Sequence, residues 1–213
     1  ETQAVVGIDL GLRDLAVLST GERIEAPRAL RQHELQLRRL NKELARRERG
    51  RANWRKTKGK LGRLHERIAN VRHAVTHELT ANVVRRFRWI GVEDLNVAGM
   101  ARGLRLAKSV MDAGMAEVGR QLAYKAPLAG GTVVVADRGF PSSKTCRVCG
   151  VVLGALPLST RRWTCQDCGC EHDRDLNAAK NLERLAAAYA VTAQRPALML
   201  GVVGWEPGNL AVD

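Results

Sequence analysis

No stretch of the 213 residues approaches the roughly twenty uninterrupted apolar residues of a membrane span, and no charged-then-apolar leader opens the chain. Those absences argue against a membrane partner and a secreted protein, and they make the cytoplasm the expected location. Acidic residues are in short supply: 22 Asp and Glu stand against 35 Lys and Arg, a net charge of +13. With a pI near 10.3, the natural partner is a polyanion, because Lys and Arg gain affinity by displacing the counterions condensed on phosphates. Aromatic side chains are sparse, at 4%. Further phosphate-binding Gly and Asp loops are missing beyond Gly7-Ile8-Asp9-Leu10-Gly11, which counts against an actin-like ATPase. The Asp, Asp, Glu chain order of a DDE transposase is missing too, since the glutamate here comes second.

The charge that is present is concentrated. From Arg28 to Arg88 there are roughly 19 Lys and Arg against about 5 Asp and Glu, close to the whole surplus in one segment, which reads as a contact surface rather than a merely solvated face. Within it, Leu37, Leu40 and Leu44 repeat at three and four. Leu61, Leu64, Ile68, Val71, Val75, Leu79 and Val83 keep that spacing longer, so residues 28–88 are expected to form an antiparallel helical hairpin. Residues 49–60 between the two runs combine glycine with dense positive charge, which suits a flexible loop on a phosphate backbone. Arg49, Arg51, Trp54, Arg55, Lys56, Lys58 and Lys60 are the candidate nucleic-acid contacts, with Trp54 either stacking on a base or capping the hairpin tip.

Around this segment the pattern is mixed α/β. Ala4 to Ile8, then Leu15 to Leu18 and the turn after Thr20 read as a β-meander; Trp89 to Val92 and Thr132 to Ala136 read as further strands. Asn96 to Gly103 reads as a turn and Ser109 to Ala126 as a helix. A closing helix after Asp175 carries Leu176, Ala179, Leu182, Leu185, Ala186 and Tyr189 as its apolar stripe. Residues 191–213 show no clear period and stay unassigned. Glu1, in place of a Met, reads as the start of a piece of a longer protein or of a processed product.

Two chemistries stand out. Cys146-x-x-Cys149 and Cys165-x-x-Cys168 lie about fifteen residues apart, the spacing at which four thiolates close a tetrahedral zinc site. Two disulfides or a redox pair are the alternatives, disfavoured because nothing else looks secreted. Four cysteine ligands leave no open position, so the zinc is expected to be structural, with Cys170 a bystander. Lys144, Arg147, Arg161 and Arg162 surround the site and could face DNA, while Trp163 packs over it. The second chemistry is acidic: Asp9 follows a buried strand, Glu93 ends another and Asp175 opens the last helix. Such carboxylates would hold Mg²⁺ or Mn²⁺, and a metal pair roughly 4 Å apart supports phosphodiester cleavage. Asp175 fits an N-cap equally well, and Asp14, Asp94 and Asp173 are substitutes that composition does not exclude.

These motifs resemble the C-terminal half of TnpB, the transposon-encoded relatives of the small CRISPR nucleases. The residues that carry the resemblance are Gly7-Ile-Asp-Leu-Gly11, Val92-Glu-Asp-Leu-Asn96, Phe140-Pro-Ser-Ser-Lys-Thr-Cys146, the two cysteine pairs and His172-Asp-Arg-Asp-Leu-Asn-Ala-Ala-Lys-Asn181, over nearly the whole chain to about residue 190. The resemblance implies an RNase H-like, RuvC-type mixed sheet with an inserted helical hairpin and an inserted zinc ribbon. The core would be 1–140 and 171–190, and the ribbon 141–170. It places the catalytic acids on Asp9, Glu93 and Asp175. It also implies RNA-guided, Mg²⁺-dependent cleavage of DNA in a prokaryotic cell, with DNA and a guide RNA as partners and nucleoid association when bound. The N-terminal region that such proteins use to hold the guide is absent here, so a non-cleaving DNA- or RNA-binding fragment or regulator is the alternative. The sequence leaves the oligomeric state open.

Overall fold

The computed structural model describes residues 4–102 and 107–193. At its centre is a five-stranded sheet built from β1 (Val5–Leu10), β2 (Asp14–Leu18), β3 (Arg23–Glu25), β4 (Trp89–Glu93) and β5 (Thr132–Ala136), in the order β3-β2-β1-β4-β5. The meander β1-β2-β3 is antiparallel, whereas β4 runs parallel to both β1 and β5. The mixed α/β sheet expected from the strand pattern is therefore present. Val6, Ile8, Leu15, Leu18, Ile90 and Val92 bury their side chains in its core.

Two glycines set the position of the helix that crosses this sheet. Gly7 and Gly91 face each other across β1 and β4, and α7 (Arg174–Ala193) lies directly on both. A Cβ on Gly7 would fall 1.9 Å from the Ala179 carbonyl oxygen, and one on Gly91 would fall 2.2 Å from that of Leu182. Backbone meets backbone there, which only a residue without a side chain permits. The helix answers with small residues: Ala178, Ala179, Ala186 and Ala190 are buried with Leu182. Tyr189, expected in that stripe, is instead exposed. Val191 to Ala193 continue the helix, and the rest of the unassigned tail, 194–213, lies outside the described residues.

On the other side of β1, the chain leaves the sheet through α1 (Ala29–Gln32) and the hairpin of α2 (Glu34–Ala45) and α3 (Ala52–Arg86). Asp112 accepts hydrogen bonds from the Leu30 and Arg31 N–H groups at 2.8 and 3.2 Å, tying α1 to α5 (Ala107–Ala113). Leu37 and Leu40 pack with Leu64 and Ile68 in a small core of their own, while Leu79 and Val83 at the far end of α3 join the main core. Val71, between the two, is exposed, which corrects the uninterrupted stripe expected of this helix.

Three other local expectations change. The flexible loop expected over 49–60 is helical from Ala52 onward, so the connection shrinks to a tight turn over 46–51. The Ala, Arg and Lys residues there are good helix formers and outweigh Gly59, which costs about 1 kcal/mol. The turn expected over Asn96–Gly103 contains α4 (Val97–Arg102), with Asn96 as its N-cap: its side-chain oxygen accepts the Gly99 N–H at 2.8 Å. The single helix expected over Ser109–Ala126 is two, α5 and α6 (Met115–Leu128), broken at Gly114, whose φ of 76° turns the chain.

Candidate metal centres and nucleic-acid surface

The sheet geometry brings the three carboxylates together. Asp9 lies two residues beyond Gly7 and Glu93 two beyond Gly91, so each points to the same face of the sheet as its glycine. That is the face on which α7 lies. Asp175 precedes Ala179 by about one helical turn, towards the same end of the strands. The Asp9 carboxyl feels the result: burial, then the negative charges of Glu93 and Asp175, hold its pKa well above the usual carboxylate range, against a smaller pull from Arg174 and Arg161. The three acids thus lie near one another at the C-terminal end of the central strands β1 and β4.

The neighbouring acids are otherwise engaged. Asp173 is the N-cap of α7, accepting the Leu176 N–H at 3.0 Å, so the capping role open to Asp175 belongs to Asp173. Arg23 pairs with Asp14 at 2.9 Å and with Asp173 at 2.8 Å. Burial would raise the Asp173 carboxyl, but the Leu176 N–H and Arg23 outweigh it and bring the pKa below its ordinary value. Arg138 holds Asp94 at 2.9 Å. Among the described residues Asp175 has only longer ion pairs, with Arg161 at 3.3 Å and Arg23 at 3.9 Å.

Three residues that sequence reasoning gave no role connect this site to the cysteine segment. Ser142, almost wholly buried, donates its hydroxyl to Glu93 Oε1. Asn181 Nδ2 donates to the carbonyls of Ser142 and Thr145 at 2.7 and 2.8 Å, and Asn177 Nδ2 to that of Thr145 at 2.8 Å. Asn177 also accepts the Arg147 N–H at 3.2 Å. Two asparagines four apart on the buried face of an otherwise apolar helix were the sequence signal for this clamp.

The four thiols of Cys146, Cys149, Cys165 and Cys168 lie within 4.8 Å of one another and could hold a metal ion. Cys146 and Cys168 approach to 3.6 Å, as do Cys149 and Cys165. Each C-x-x-C turn ends in a glycine in the left-handed region, Gly150 and Gly169, whose N–H returns to the carbonyl of the first cysteine. Cys170 stays outside the cluster. Trp163 is buried against Cys146 and Cys165 and meets His172 with the rings tilted by 44°, and the His172 Nε2 lies 3.1 Å from Cys146 Sγ. Burial works against ionisation of Cys146, yet the Cys149 and Val148 N–H groups with His172 bring its thiol down to about 6. The Cys170 N–H favours the Cys168 thiolate, but burial and the hydrogen bonds shared with Cys146, Cys149 and Cys165 outweigh it and push this thiol up. The small strands β6 (Arg162–Thr164) and β7 (Glu171–Asp173) pair and lead directly into α7.

A further three-ligand cluster, His73, His77 and Glu117, joins α3 to α6. Its groups already have partners: Arg120 and Gln121 bond the Glu117 carboxylate, and Lys125 Nζ sits 3.1 Å from His77 Nδ1. A metal ion there would have to displace cations.

On the hairpin, Arg49, Arg51, Arg55, Lys56, Lys58 and Lys60 are exposed around the tip. Arg51 pairs with Glu48 at 3.1 Å, while among the described residues no carboxylate lies within 4.0 Å of Arg55, Lys56, Lys58 or Lys60. Trp54 is half-buried beneath Lys58, whose Nζ lies 5.2 Å from the ring centroid. Thr57 is buried and donates to Glu43 at 3.1 Å, locking the first turns of α3 onto α2. Arg63 and Arg67, outside the expected contact set, carry the exposed positive charge further along α3.

Comparison with known proteins agrees with this architecture. Residues 1–103 match the family model described as "Probable transposase" (OrfB_IS605), and residues 116–182 match that of the Cas12f1-like TNB domain. A Streptomyces pristinaespiralis protein named "Putative RNA-guided DNA endonuclease" is 43% identical over 192 residues, 90% of this chain and 47% of the relative. "Putative RNA-guided DNA endonuclease InsQ" of Escherichia coli strain K12 is 35% identical over 205 residues, 89% of this chain and 50% of the relative. The chain thus spans about half the length of the curated relatives it matches. A chain from the cryo-EM structure of the Cas12f1-sgRNA-target DNA complex superposes with a TM-score of 0.60 over 84% of this chain and 49% of that one, at 15% identity, a likeness of fold. Among the described residues no helix is long and apolar enough to cross a membrane.

Proposed function

We propose that this chain is the nuclease core of a TnpB-type RNA-guided DNA endonuclease, hydrolysing phosphodiester bonds at Asp9, Glu93 and Asp175. The observation that carries the reading is the convergence of these carboxylates at one end of β1, β4 and α7, where burial and then the charges of Glu93 and Asp175 raise the Asp9 carboxyl above its ordinary range. A cation relieves that repulsion, and hard carboxylate oxygens suit Mg²⁺ or Mn²⁺. Bound there, a pair of such ions would activate a water and neutralise the charge that develops on the leaving oxygen. Asp9, Glu93 and Asp175 would be the residues that hold these ions. Arg161 and Arg23, beside Asp175, hold positive charge at the same edge and balance its carboxylate.

Residues 1–140 and 171–190 are the catalytic core in this reading, and 141–170 a structural zinc ribbon. The thiol separations of 3.6 Å fit the ion, because a tetrahedron with Zn–S bonds of about 2.3 Å has edges of about 3.8 Å. The exposed Arg49, Arg51, Arg55, Lys56, Lys58 and Lys60, with Trp54 beneath them, take the phosphate backbone of DNA or of a guide RNA. The test is Mg²⁺-dependent cleavage of labelled DNA in the presence and absence of guide RNA, with Asp9→Ala and Asp175→Ala beside the parent. Loss of cutting in both variants supports the assignment. Cutting by Asp9→Ala at the parental rate refutes it, and salt-sensitive binding by a parent that never cuts would favour the non-cleaving alternative.

A further inference from the structure

The contacts between the cysteine segment and the carboxylates are made by specific side chains and go beyond simple adjacency. Ser142 stands four residues before Cys146, in a turn closed by the Lys144 and Thr145 N–H groups on the Pro141 carbonyl at 3.0 and 2.9 Å. Its hydroxyl hydrogen has one acceptor, Glu93 Oε1. The Ser142 carbonyl is fixed from the opposite side by Asn181, and Asn177 and Asn181 both hold the Thr145 carbonyl, the last before the first metal-binding thiol. On the far side of the same segment, Arg161 reaches Asp175. One inserted unit therefore supplies a donor to two of the three carboxylates.

We propose that Ser142 is a positioning residue for Glu93, and that through it the four-cysteine unit forms part of the carboxylate site. This inference rests on the reading of Asp9, Glu93 and Asp175 as a cation site. A carboxylate is free to rotate about its last bond, and a donor on one oxygen fixes the plane in which the other is presented. Groups that orient metal ligands in this way typically account for about 10- to 100-fold in metal affinity or activity. Ser142 is well placed to do so because its backbone is clamped by α7, the helix that also carries Asp175. Glu93 and Asp175 are thus referred to one rigid body.

The test is direct titration of Mn²⁺ followed by electron paramagnetic resonance, on the full chain without nucleic acid. Ser142→Ala should raise the Mn²⁺ dissociation constant about 10-fold or more, with zinc content by mass spectrometry and duplex DNA affinity unchanged. Ser142→Thr, which keeps the hydroxyl, should return towards the parent. Asp9→Asn serves as the reference. If Asp9→Asn loses Mn²⁺ and Ser142→Ala binds it within two-fold of the parent, the inference fails while the site stands. If Asp9→Asn also binds normally, both fail. A Ser142→Ala protein that loses its zinc would make Ser142 a folding residue of the ribbon and overturn the positioning role.

Discussion

Gly7→Ala is the substitution on which the architecture can be tested most severely. The added methyl would stand 1.9 Å from the Ala179 carbonyl oxygen and 2.3 Å from the Glu183 nitrogen. Ordinary contact begins near 3.4 Å, so about 1.5 Å of separation has to be created, and both obstacles are backbone atoms that no rotamer change can move. Either α7 lifts from β1 or the strand bends away. Overpacking of this kind typically costs about 1–3 kcal/mol and sometimes more, and the backbone origin of the clash puts about 3 kcal/mol as the expected figure. Lifting α7 also moves Asp175 relative to Asp9, and a misplacement of about 1 Å can cost on the order of 100-fold in rate. Urea denaturation should give a lower midpoint with an unchanged slope, and DNA cleavage should fall on the order of 100-fold although no acid has been altered. Gly62→Ala is the control: nothing lies within 4 Å of the added methyl on α3, and it should stabilise by up to about 1 kcal/mol. A Gly7→Ala protein within about 0.5 kcal/mol of the parent would mean that α7 does not rest on β1 as described.

Asp9 gives a pH signature. Its folded-state pKa is raised, so the stability it contributes is complete below the unfolded carboxylate value and is lost as pH rises through the folded one. In a chelator, the stability of the parent relative to Asp9→Asn should therefore decline from acid towards neutral pH. A gap that stays constant in thermal melts across that range would contradict the burial and crowding of Asp9. Asp173, whose pKa is lowered, has the opposite sign: its contribution is present above the unfolded value and is lost in acid. If the four thiols hold zinc as proposed, Cys149→Ser should lose the one equivalent that mass spectrometry is expected to detect in the parent and be cut faster within 141–170, whereas Cys170→Ser should change neither; equal losses would remove the assignment of the four ligands. Replacing Arg55, Lys56, Lys58 and Lys60 by alanine should flatten the salt dependence of duplex binding, by about 0.9 in slope for each phosphate that these side chains neutralise in the parent. An unchanged slope would move the nucleic-acid surface elsewhere.

The strands and the closing helix were legible because their signals are short-range: β-branched runs between turns, and two cysteine pairs at metal spacing. The hairpin was legible as two helices but not in its connection. Residues 49–60 read as a loop because glycine and charge suggest one, yet nothing in Arg, Lys or Ala resists helix, and Thr57 anchors the segment through a Glu43 contact that no local pattern announces. The opposite failure occurred at Gly114, where a single residue with positive φ divides one apparently continuous helix. Tyr189 and Val71 were misplaced because periodicity gives a helix its faces but not the depth to which each face is buried. At the acids, composition and spacing could propose Asp9, Glu93 and Asp175 but could not separate them from Asp14, Asp94 and Asp173; in the sequence only the family resemblance chose among them. Separation needs the partners, and the three substitutes prove to be tied to Arg23, Arg138 and the α7 N-terminus.

Why the cysteine unit and the acids lie side by side follows from the path of the chain. The segment 137–173 joins the end of β5 to the start of α7. Glu93 is paired with Ala136, the last residue of β5, and Asp175 is in the first turn of α7, so both ends of the segment are fixed at the carboxylate edge. A unit inserted there cannot lie far from the acids. Its four thiols, which could hold a metal ion, stand where a large apolar core is lacking, and the unit holds a donor against each neighbour: Ser142 on Glu93, Arg161 on Asp175. Its site of insertion, more than its composition, is what brings it against the acids.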